Sequence, residues 1–216
     1  MTVRIHAIES EPFAENSYVV WREGSTDALV VDPGFEPDLI LTFLWKHDLN
    51  LVAILNTHGH VDHMAGNRAI KKAFPDAPLI IGVGDAPMLT DPMLNLSGPF
   101  GFEVTSPPAD QTVVDNETLT LAGLTMTVRE IPGHSPGHVV FILGGEEPPL
   151  VLGGDVLFAG SIGRTDFPGG SFTQLAEGIR AKLWPLPPAT KVFPGHGPPT
   201  TIGIEKASNP FVGDSA

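Results

Sequence analysis

The sequence predicts an α/β protein, and three observations support this class. Short apolar segments typical of β-strands recur along the whole chain and end in turns rich in Gly, Asp or Pro. Amphipathic segments with helical spacing follow such strands in both halves of the chain. Hydrophobic residues make up 42% of the chain and charged residues 17%, which is enough apolar material for a substantial core. No linker divides the chain, so we expect residues 1–216 to form one domain.

In the first half, helices and strands alternate after an initial β-rich block. The predicted strands are those at 3–8, 17–21, 27–32, 51–57 and 78–81. Helices are predicted at 36–48, where Pro37 suits the first turn, and at 64–74, which Pro75 ends. Residues 82–110 are irregular, Pro-rich and partly apolar. They either pack on the core or form a lid over a pocket.

The second half is predicted to begin as a β meander. Its predicted strands are those at 117–123, 124–131, 138–143, 149–155 and 190–195. An amphipathic helix capped by Ser171 is expected at 171–184, and a short helix after Thr201. The strand ends LVVDPG and LVLGGD echo one another weakly, without forming a strict repeat.

Charge and composition exclude several classes of function. The net charge is −13, from 12 basic and 25 acidic residues, and no basic cluster is visible, so neither nucleic acid nor an anionic membrane surface is an expected partner. Cysteine is absent, which excludes disulfides, thiolate ligands and a cysteine nucleophile. No apolar run approaches the ~20 residues of a membrane span and the N-terminus has no apolar leader, so a cytoplasmic protein is expected.

The segment THGHVDH predicts a metal site. It places His58, His60, Asp62 and His63 directly after the apolar strand at 51–57, at a strand end of the kind where α/β folds carry their chemistry. Imidazole and carboxylate are ligands for Zn, Mn, Fe or Co. Four such ligands crowd a single tetrahedral ion. They divide more naturally between two metals, with the first two histidines on one side.

Three distant segments offer further ligands at the ends of apolar strands. His134 lies in IPGHSPGH, Asp155 in LGGD and His196 in PGHGPP, each beside Gly or Pro. Their shared placement supports a site assembled from several strand ends. His138 is either a partner that hydrogen-bonds a ligand carboxylate or an ordinary structural histidine.

In this order, the motifs THGHVDH, PGH, GGD and PGHG resemble those of the metallo-β-lactamase superfamily, whose fold is a four-layer αββα sandwich. The segments LFAGSIGRTDFPGGS and GHGPPTTIGIEKASNPFV resemble the glyoxalase II (hydroxyacylglutathione hydrolase) branch and its persulfide dioxygenase relatives. The resemblance implies two groups of three ligands that share one carboxylate: His58, His60 and His134 for one metal, Asp62, His63 and His196 for the other, and Asp155 bridging them.

The resemblance implies hydrolysis of a glutathione thioester such as S-lactoylglutathione. A hydroxide between two divalent ions, expected to be zinc with iron or manganese as alternatives, attacks the thioester carbonyl, and the ions stabilise the oxyanion. The thiolate leaves without a dedicated acid, because its thiol is already fairly acidic. Asp62 is expected both to bind metal and to orient the hydroxide.

The substrate-binding prediction depends on fewer residues. Arg164 lies where glyoxalase II enzymes carry a basic residue that binds the glycine carboxylate of glutathione, and its alternative is a structural salt bridge with Asp166. Asp166 itself stands where that branch commonly has a substrate-contacting tyrosine. The chain also ends soon after His196, so we expect no C-terminal helical domain like that of full-length glyoxalase II. The hydrolytic centre is therefore better supported than glutathione recognition.

Other functions stay open at this point. A persulfide dioxygenase uses a single iron held by two histidines and one aspartate, and its relatives share the segment GRTDF. Another small thioester or ester is a second alternative substrate. β-Lactam hydrolysis is less expected, because true lactamases lack the carboxylate of Asp155, and RNA processing is disfavoured by the net charge. The sequence does not address the oligomeric state.

Overall fold

The computed structural model describes residues 2–216 and consists of two six-stranded sheets packed face to face, with helices on both outer faces. The first sheet has its strands in chain order: β1 (Val3–Ser10), β2 (Glu15–Arg22), β3 (Asp27–Val31), β4 (Asn50–Asn56), β5 (Leu79–Gly82) and β6 (Gln111–Val113). The β1–β2 and β2–β3 pairs are antiparallel, and β3 to β6 run parallel.

The second sheet is mostly antiparallel. Its strands are β7 (Thr118–Leu121), β8 (Leu124–Glu130), β9 (Val139–Leu143), β10 (Leu150–Gly154), β13 (Lys191–Pro194) and β14 (Thr200–Thr201), in the spatial order β14-β13-β10-β9-β8-β7. Only the β10–β13 pair is parallel within this sheet of the described chain. A separate hairpin is formed by β11 (Leu157–Phe158) and β12 (Ser161–Ile162).

The helices cover the two outer faces. On the first sheet lie α1 (Pro37–Lys46), α2 (Val61–Met64) and α3 (Asn67–Ala73); on the second lie α4 (Phe172–Lys182) and α5 (Ile202–Ser208). Ser171 caps α4 by accepting a hydrogen bond from the Gln174 N–H at 3.3 Å, as predicted. None of the helices within residues 2–216 is both long and apolar enough to cross a membrane.

Three apolar layers hold this arrangement together. Leu29, Leu55 and Phe141 belong to the layer between the sheets, where the inner faces of both meet. Ile40 of α1 belongs to the layer beneath the first set of helices, and Leu175 of α4 to the layer beneath the second. Because both faces of each sheet are covered, the central strands read as continuous apolar runs. The predicted αββα sandwich is confirmed.

The helix predicted at 64–74 is wrong in its bounds. The chain forms two short helices, α2 and α3, and the first begins at residue 61, inside the histidine motif. Gly66 separates them and lies against the turn after β3, because its N–H donates to the Pro33 carbonyl at 2.8 Å. A Cβ on Gly66 would lie 2.6 Å from the Gly34 carbonyl oxygen, so this approach requires glycine.

Four strands were not predicted, namely β6, β11, β12 and β14. Each has only two or three residues, which is too short for an alternating pattern to show. The segment 82–110 contains a 3-10 helix, Ala86–Thr90, whose Leu89 is fully buried in the core. This part of the segment therefore packs on the core, while its later residues reach the site described next.

Candidate metal centre

The candidate site lies where five strands end. β3 and β4 are parallel neighbours, as are β10 and β13, and β8 has the same direction as β10. Their carboxyl ends therefore meet at one edge of the sandwich, where loops after buried strands carry the polar residues. The residues that follow these strands are Asp32, His58, His134, Asp155 and His196.

The first group of candidate ligands is His58, His60 and His134. Their ring nitrogens lie within 4.8 Å of one another, and His60 Nδ1 is 2.9 Å from His134 Nε2. His134 Nδ1 donates to the Arg164 carbonyl at 2.8 Å, so its Nε2 presents a lone pair to the site. All three side chains are buried.

The second group is Asp62, His63 and His196, whose ligand atoms also lie within 4.8 Å of one another. His196 Nε2 is 3.3 Å from Asp62 Oδ2, and His63 Nε2 is 3.8 Å from the same oxygen. The other nitrogen of His196 donates to the Ala14 carbonyl at 3.2 Å, which orients Nε2 towards the centre.

Asp155 lies between the two groups. Its Oδ2 is 3.4 Å from His134 Nε2 in the first group and 3.6 Å from His196 Nε2 in the second. Its Oδ1 is 3.4 Å from His63 Nε2. A single carboxylate thus contacts both groups, the position that a bridging ligand would occupy.

The chemistry of these atoms fits a divalent metal. His58 Nε2, His63 Nε2 and Asp155 Oδ1 are buried and have no hydrogen-bond partner within residues 2–216. Buried polar atoms without a partner are rare, because they lose their hydration without compensation. Neutral imidazole nitrogens and carboxylate oxygens are the donors that zinc, iron and manganese accept. A metal at each group would satisfy these atoms.

The pKa shifts differ between the two ligand groups. Burial lowers the pKa of His58 well below its ordinary value, and burial together with His134 lowers the pKa of His60 to about 3. Burial opposes ionisation of Asp155, but the nearby histidines, His63 first, hold its pKa below the ordinary value. At neutral pH His58 and His60 are therefore neutral and Asp155 is ionised. In the second group burial favours neutral imidazoles, but Asp155 and Asp62 raise the pKa of His63 and of His196, so a metal ion there would replace a proton.

Asp32 supports both halves of the histidine motif, although it lies outside the motifs that predict the metal ligands. Its Oδ1 accepts the Thr57 N–H at 2.7 Å, and its Oδ2 accepts the Thr57 hydroxyl at 2.6 Å and His63 Nδ1 at 3.1 Å. These contacts occupy both of its oxygens, so Asp32 orients ligands although it lies within ligand distance of His58 and His63. The sequence feature that could have pointed to Asp32 is its strand end, LVVDPG, which resembles LVLGGD, the strand end that carries Asp155.

Asp85 joins the two histidine loops and was also missed. It accepts hydrogen bonds from the Gly59 N–H at 3.2 Å, the Ser135 hydroxyl at 2.5 Å and the Gly137 N–H at 2.6 Å. Gly59 lies between the first two motif histidines, and Ser135 follows His134. A lone aspartate in the irregular segment 82–110 gave no sequence signal for this function.

Glu15 is another buried carboxylate near the centre. Its Oε1 lies 3.9 Å from His63 Nδ1, and its Oε2 accepts the Ser17 hydroxyl at 3.0 Å. Burial raises the pKa of this carboxyl well above its ordinary value. Nothing in its surroundings in the sequence distinguished it from an exposed glutamate in a turn.

His138 belongs to the support of the centre, in a different way from the one expected. Its Nε2 accepts the backbone N–H of Asp155 at 3.0 Å, rather than contacting the carboxylate. Its ring stacks on His58, with centroids 4.7 Å apart and an interplanar angle of 21°. His138 therefore fixes the backbone of one candidate ligand and the ring of another.

A pocket of about 390 Å³ opens above the centre. Its floor is formed by His60, Asp62, His134, Asp155 and His196. Its walls are largely apolar and include Phe13, Leu96, Phe100, Phe158, Ile162 and Phe167. Leu96 and Phe100 come from the segment 82–110, so this segment contributes to the pocket wall as well as to the core.

Arg164 lines the same pocket but is already paired. Its Nε and Nη2 donate to the two carboxylate oxygens of Asp166 at 3.0 and 2.9 Å, and its guanidinium lies 4.3 Å from the ring centroid of Phe167. Both charged side chains are more than 60% exposed. The salt bridge considered in the sequence analysis is thus present, at a position from which the guanidinium can reach a ligand.

The fold and the ligand set define the class of the protein. The sequence pattern of the Metallo-beta-lactamase superfamily matches residues 10–196, and the chain belongs to this superfamily of metal-dependent hydrolases. Hydroxyacylglutathione hydrolase GloC of Haemophilus influenzae is 36% identical over 217 residues, covering 97% of this chain and 98% of that protein.

Two solved structures extend this comparison. BLEG-1 B3 metallo-beta-lactamase superposes with a TM-score of 0.92 at 38% identity, over 97% of this chain and 99% of that one. TTHA1623 in a di-iron-bound form superposes with a TM-score of 0.83 at 35% identity, over 95% and 99%. The expected fold and the metal-dependent hydrolase class are confirmed.

Proposed function

We propose that the chain hydrolyses glutathione thioesters such as S-lactoylglutathione at a dinuclear metal centre. The observation that carries this proposal is the Asp155 carboxylate between two three-residue ligand groups, on the floor of an open pocket. The similarity to hydroxyacylglutathione hydrolase GloC over almost the whole of both chains supports the choice of a thioester.

Each ligand group would hold one divalent ion, with zinc the proposed metal and iron or manganese the alternatives. The proposed ligands are His58, His60 and His134 for the first ion, Asp62, His63 and His196 for the second, and Asp155 for both. When bound, the ions would lower the pKa of a water between them and polarise the thioester carbonyl.

Asp62 is the proposed catalytic carboxylate. Its side chain is 17% exposed and lines the pocket, unlike the fully buried His63 next to it. Burial opposes its ionisation, but His63 and His196 hold its pKa below the ordinary value, so the carboxylate is ionised at neutral pH. It can therefore accept a hydrogen bond from the attacking water and orient it towards the substrate.

The pocket suits a leaving group that needs no proton. Among the described residues that line it, none is a lysine or a tyrosine. A thiol with a pKa of about 8.5–9 leaves as the thiolate without a dedicated acid. Arg164 is the proposed contact for a carboxylate of the glutathione carrier, for which it would exchange its pairing with Asp166.

A comparative hydrolysis assay tests the proposal. Purified protein is offered S-lactoylglutathione, a simple acyl-CoA, an aryl ester and a β-lactam, and its metal content is measured on the same sample. We expect hydrolysis of the glutathione thioester to be the fastest and about two metals per chain. One iron per chain with oxygen uptake on glutathione persulfide would instead establish the dioxygenase alternative. Faster cleavage of the acyl-CoA, ester or β-lactam would replace the proposed substrate.

A further inference from the structure

We propose that the end of the pocket beside His196 binds a bulky apolar acyl group, and that Phe13, Phe100 and Phe158 determine this specificity. The inference rests on the proposed thioester hydrolysis and adds to it the chemical class of the acyl half of the substrate. It predicts that lactoyl, which is small and polar, is a poorer acyl group for this enzyme than larger apolar ones.

The wall beside His196 is aromatic. The ring of Phe158 lies edge-on to His196, with centroids 6.1 Å apart and an interplanar angle of 90°. His196 also contacts the Ala14 carbonyl, which places the neighbouring Phe13 at this end of the pocket. The rings of Phe13 and Phe100 are 6.3 Å apart. An acyl chain entering here meets aromatic carbon on several sides.

The opposite end of the pocket is charged at its mouth. Phe167 lies edge-on to His60, with ring centroids 5.6 Å apart, and the Arg164 guanidinium lies over the Phe167 ring. Arg164 is the one lysine or arginine among the described residues that line the pocket. A carrier with carboxylates is therefore accommodated best at this end. The reacting carbonyl must lie over Asp155, between the two ends, so the acyl group extends towards His196.

The aromatic wall is formed before any ligand binds. Phe13 packs on Phe35 with centroids 5.6 Å apart, and Phe100 stacks on Phe102 at 6.5 Å and 19°. Even so, Phe100 is 53% exposed and lines the pocket, so part of this residue is open to contact. An acyl group that covers it gains the apolar burial that the free protein lacks. A preformed wall also binds at a low cost in conformational entropy.

The experiment measures kcat/KM for a series of acyl groups on one carrier. S-acetyl-, S-lactoyl-, S-butanoyl- and S-hexanoylglutathione share the thiol and differ only in the acyl half. Burial of one methylene corresponds to a factor of about three to four in kcat/KM. We expect a rise of that size per methylene from acetyl to hexanoyl in the wild-type enzyme, with lactoyl at the low end.

Two variants assign the effect to the wall. Phe100→Ala and Phe158→Ala should each reduce the hexanoyl-to-acetyl ratio of kcat/KM by about tenfold. Phe172→Ala is the matched control, because Phe172 is a comparably exposed phenylalanine on α4 and does not line the pocket. It should keep the wild-type ratio, and circular dichroism should show that all three variants are folded.

The outcomes separate the two proposals. A flat acyl series, or a ratio that Phe100→Ala and Phe158→Ala leave at the wild-type value, overturns the acyl-binding inference while the hydrolase proposal stands. Absence of hydrolysis with every thioester overturns the proposed function. In that case calorimetric binding of hexanoate and acetate tests the wall by itself. Tighter binding of hexanoate that is lost in Phe100→Ala supports it, and equal binding of the two acids contradicts it.

Discussion

The floor and the rim of the pocket are built in different ways. On the floor, most candidate ligands are buried, and several are fixed by a second contact, as His134 is by the Arg164 carbonyl and His63 by Asp32. At the rim, Phe100 and Arg164 project from loops, and each is more than half exposed. The floor therefore fixes the type of chemistry. The side chains of the rim can vary without disturbing that chemistry, and we expect the rim to select the substrate.

The largest expected effect comes from removing the carboxylate shared by both ligand groups. Asp155→Ala should leave fewer than one metal per chain, and hydrolysis should fall by on the order of 10³-fold, because both groups lose a ligand and the charge between them. Metal analysis and the thioester assay measure this. Asp214→Ala, at an exposed position, should retain wild-type metal content and rate. Retention of both metals by Asp155→Ala would contradict the assignment.

The connection between the histidine loops should be important for stability. Asp85→Ala leaves three donors without their acceptor, those of Gly59, Ser135 and Gly137, and should lower the free energy of unfolding by about 3 kcal/mol. Urea denaturation of the metal-free protein measures it. Asp76→Ala, on the exposed turn before β5, should change stability by less than about 0.5 kcal/mol. Equal stabilities for the two variants would show that Asp85 is dispensable.

Loss of a residue that orients the ligands should weaken metal binding less than loss of a ligand. Asp32→Asn keeps the shape of the side chain, and Asn tolerates the positive φ of 49° at this position. It removes the charge that His63 and Thr57 contact, so metal affinity should fall by about 10- to 100-fold. A competition titration with a chelating dye measures this affinity. Asp27→Asn, at the exposed start of β3, is the control. Unchanged affinity in Asp32→Asn would exclude this orienting function.

Changes at the rim should have the smallest effect and should not alter the metals. Arg164→Ala should raise KM for glutathione thioesters by about fivefold, because one charge-assisted contact to the carrier is lost. The same acyl group on a small neutral thiol should show no such rise. Asp166→Ala, which frees the guanidinium, should lower KM for the glutathione substrate. If Arg164→Ala affects both carriers equally, Arg164 has only a structural function.

The floor was largely predictable from the sequence, for a physical reason. Metal ligation needs particular residue types, and His58, His134 and Asp155 each follow an apolar strand with Gly or Pro nearby. The residues that orient them carry no such pattern. Asp85 is a lone aspartate in an irregular segment, and Glu15 is recognisable only by its complete burial.

The fold shows a similar division. Long apolar strands and helix α4 were predicted within a few residues, because their periodicity and capping are local properties of the chain. The break between α2 and α3 was not, because it depends on the contact of Gly66 with the distant turn at Gly34. The same limit applies to the rim. The sequence was compatible both with a salt bridge between Arg164 and Asp166 and with a substrate contact for Arg164, and it could not distinguish the two.

The most direct test of the central claim is a metal titration of the metal-free protein followed by its activity. Zinc is added in increments to protein stripped of metal, and hydrolysis of S-lactoylglutathione is recorded at each step. Two ligand groups that share Asp155 predict that activity rises until two equivalents per chain are bound and then stays constant. Full activity at one equivalent, or no hydrolysis at any zinc content, would contradict a dinuclear thioester hydrolase.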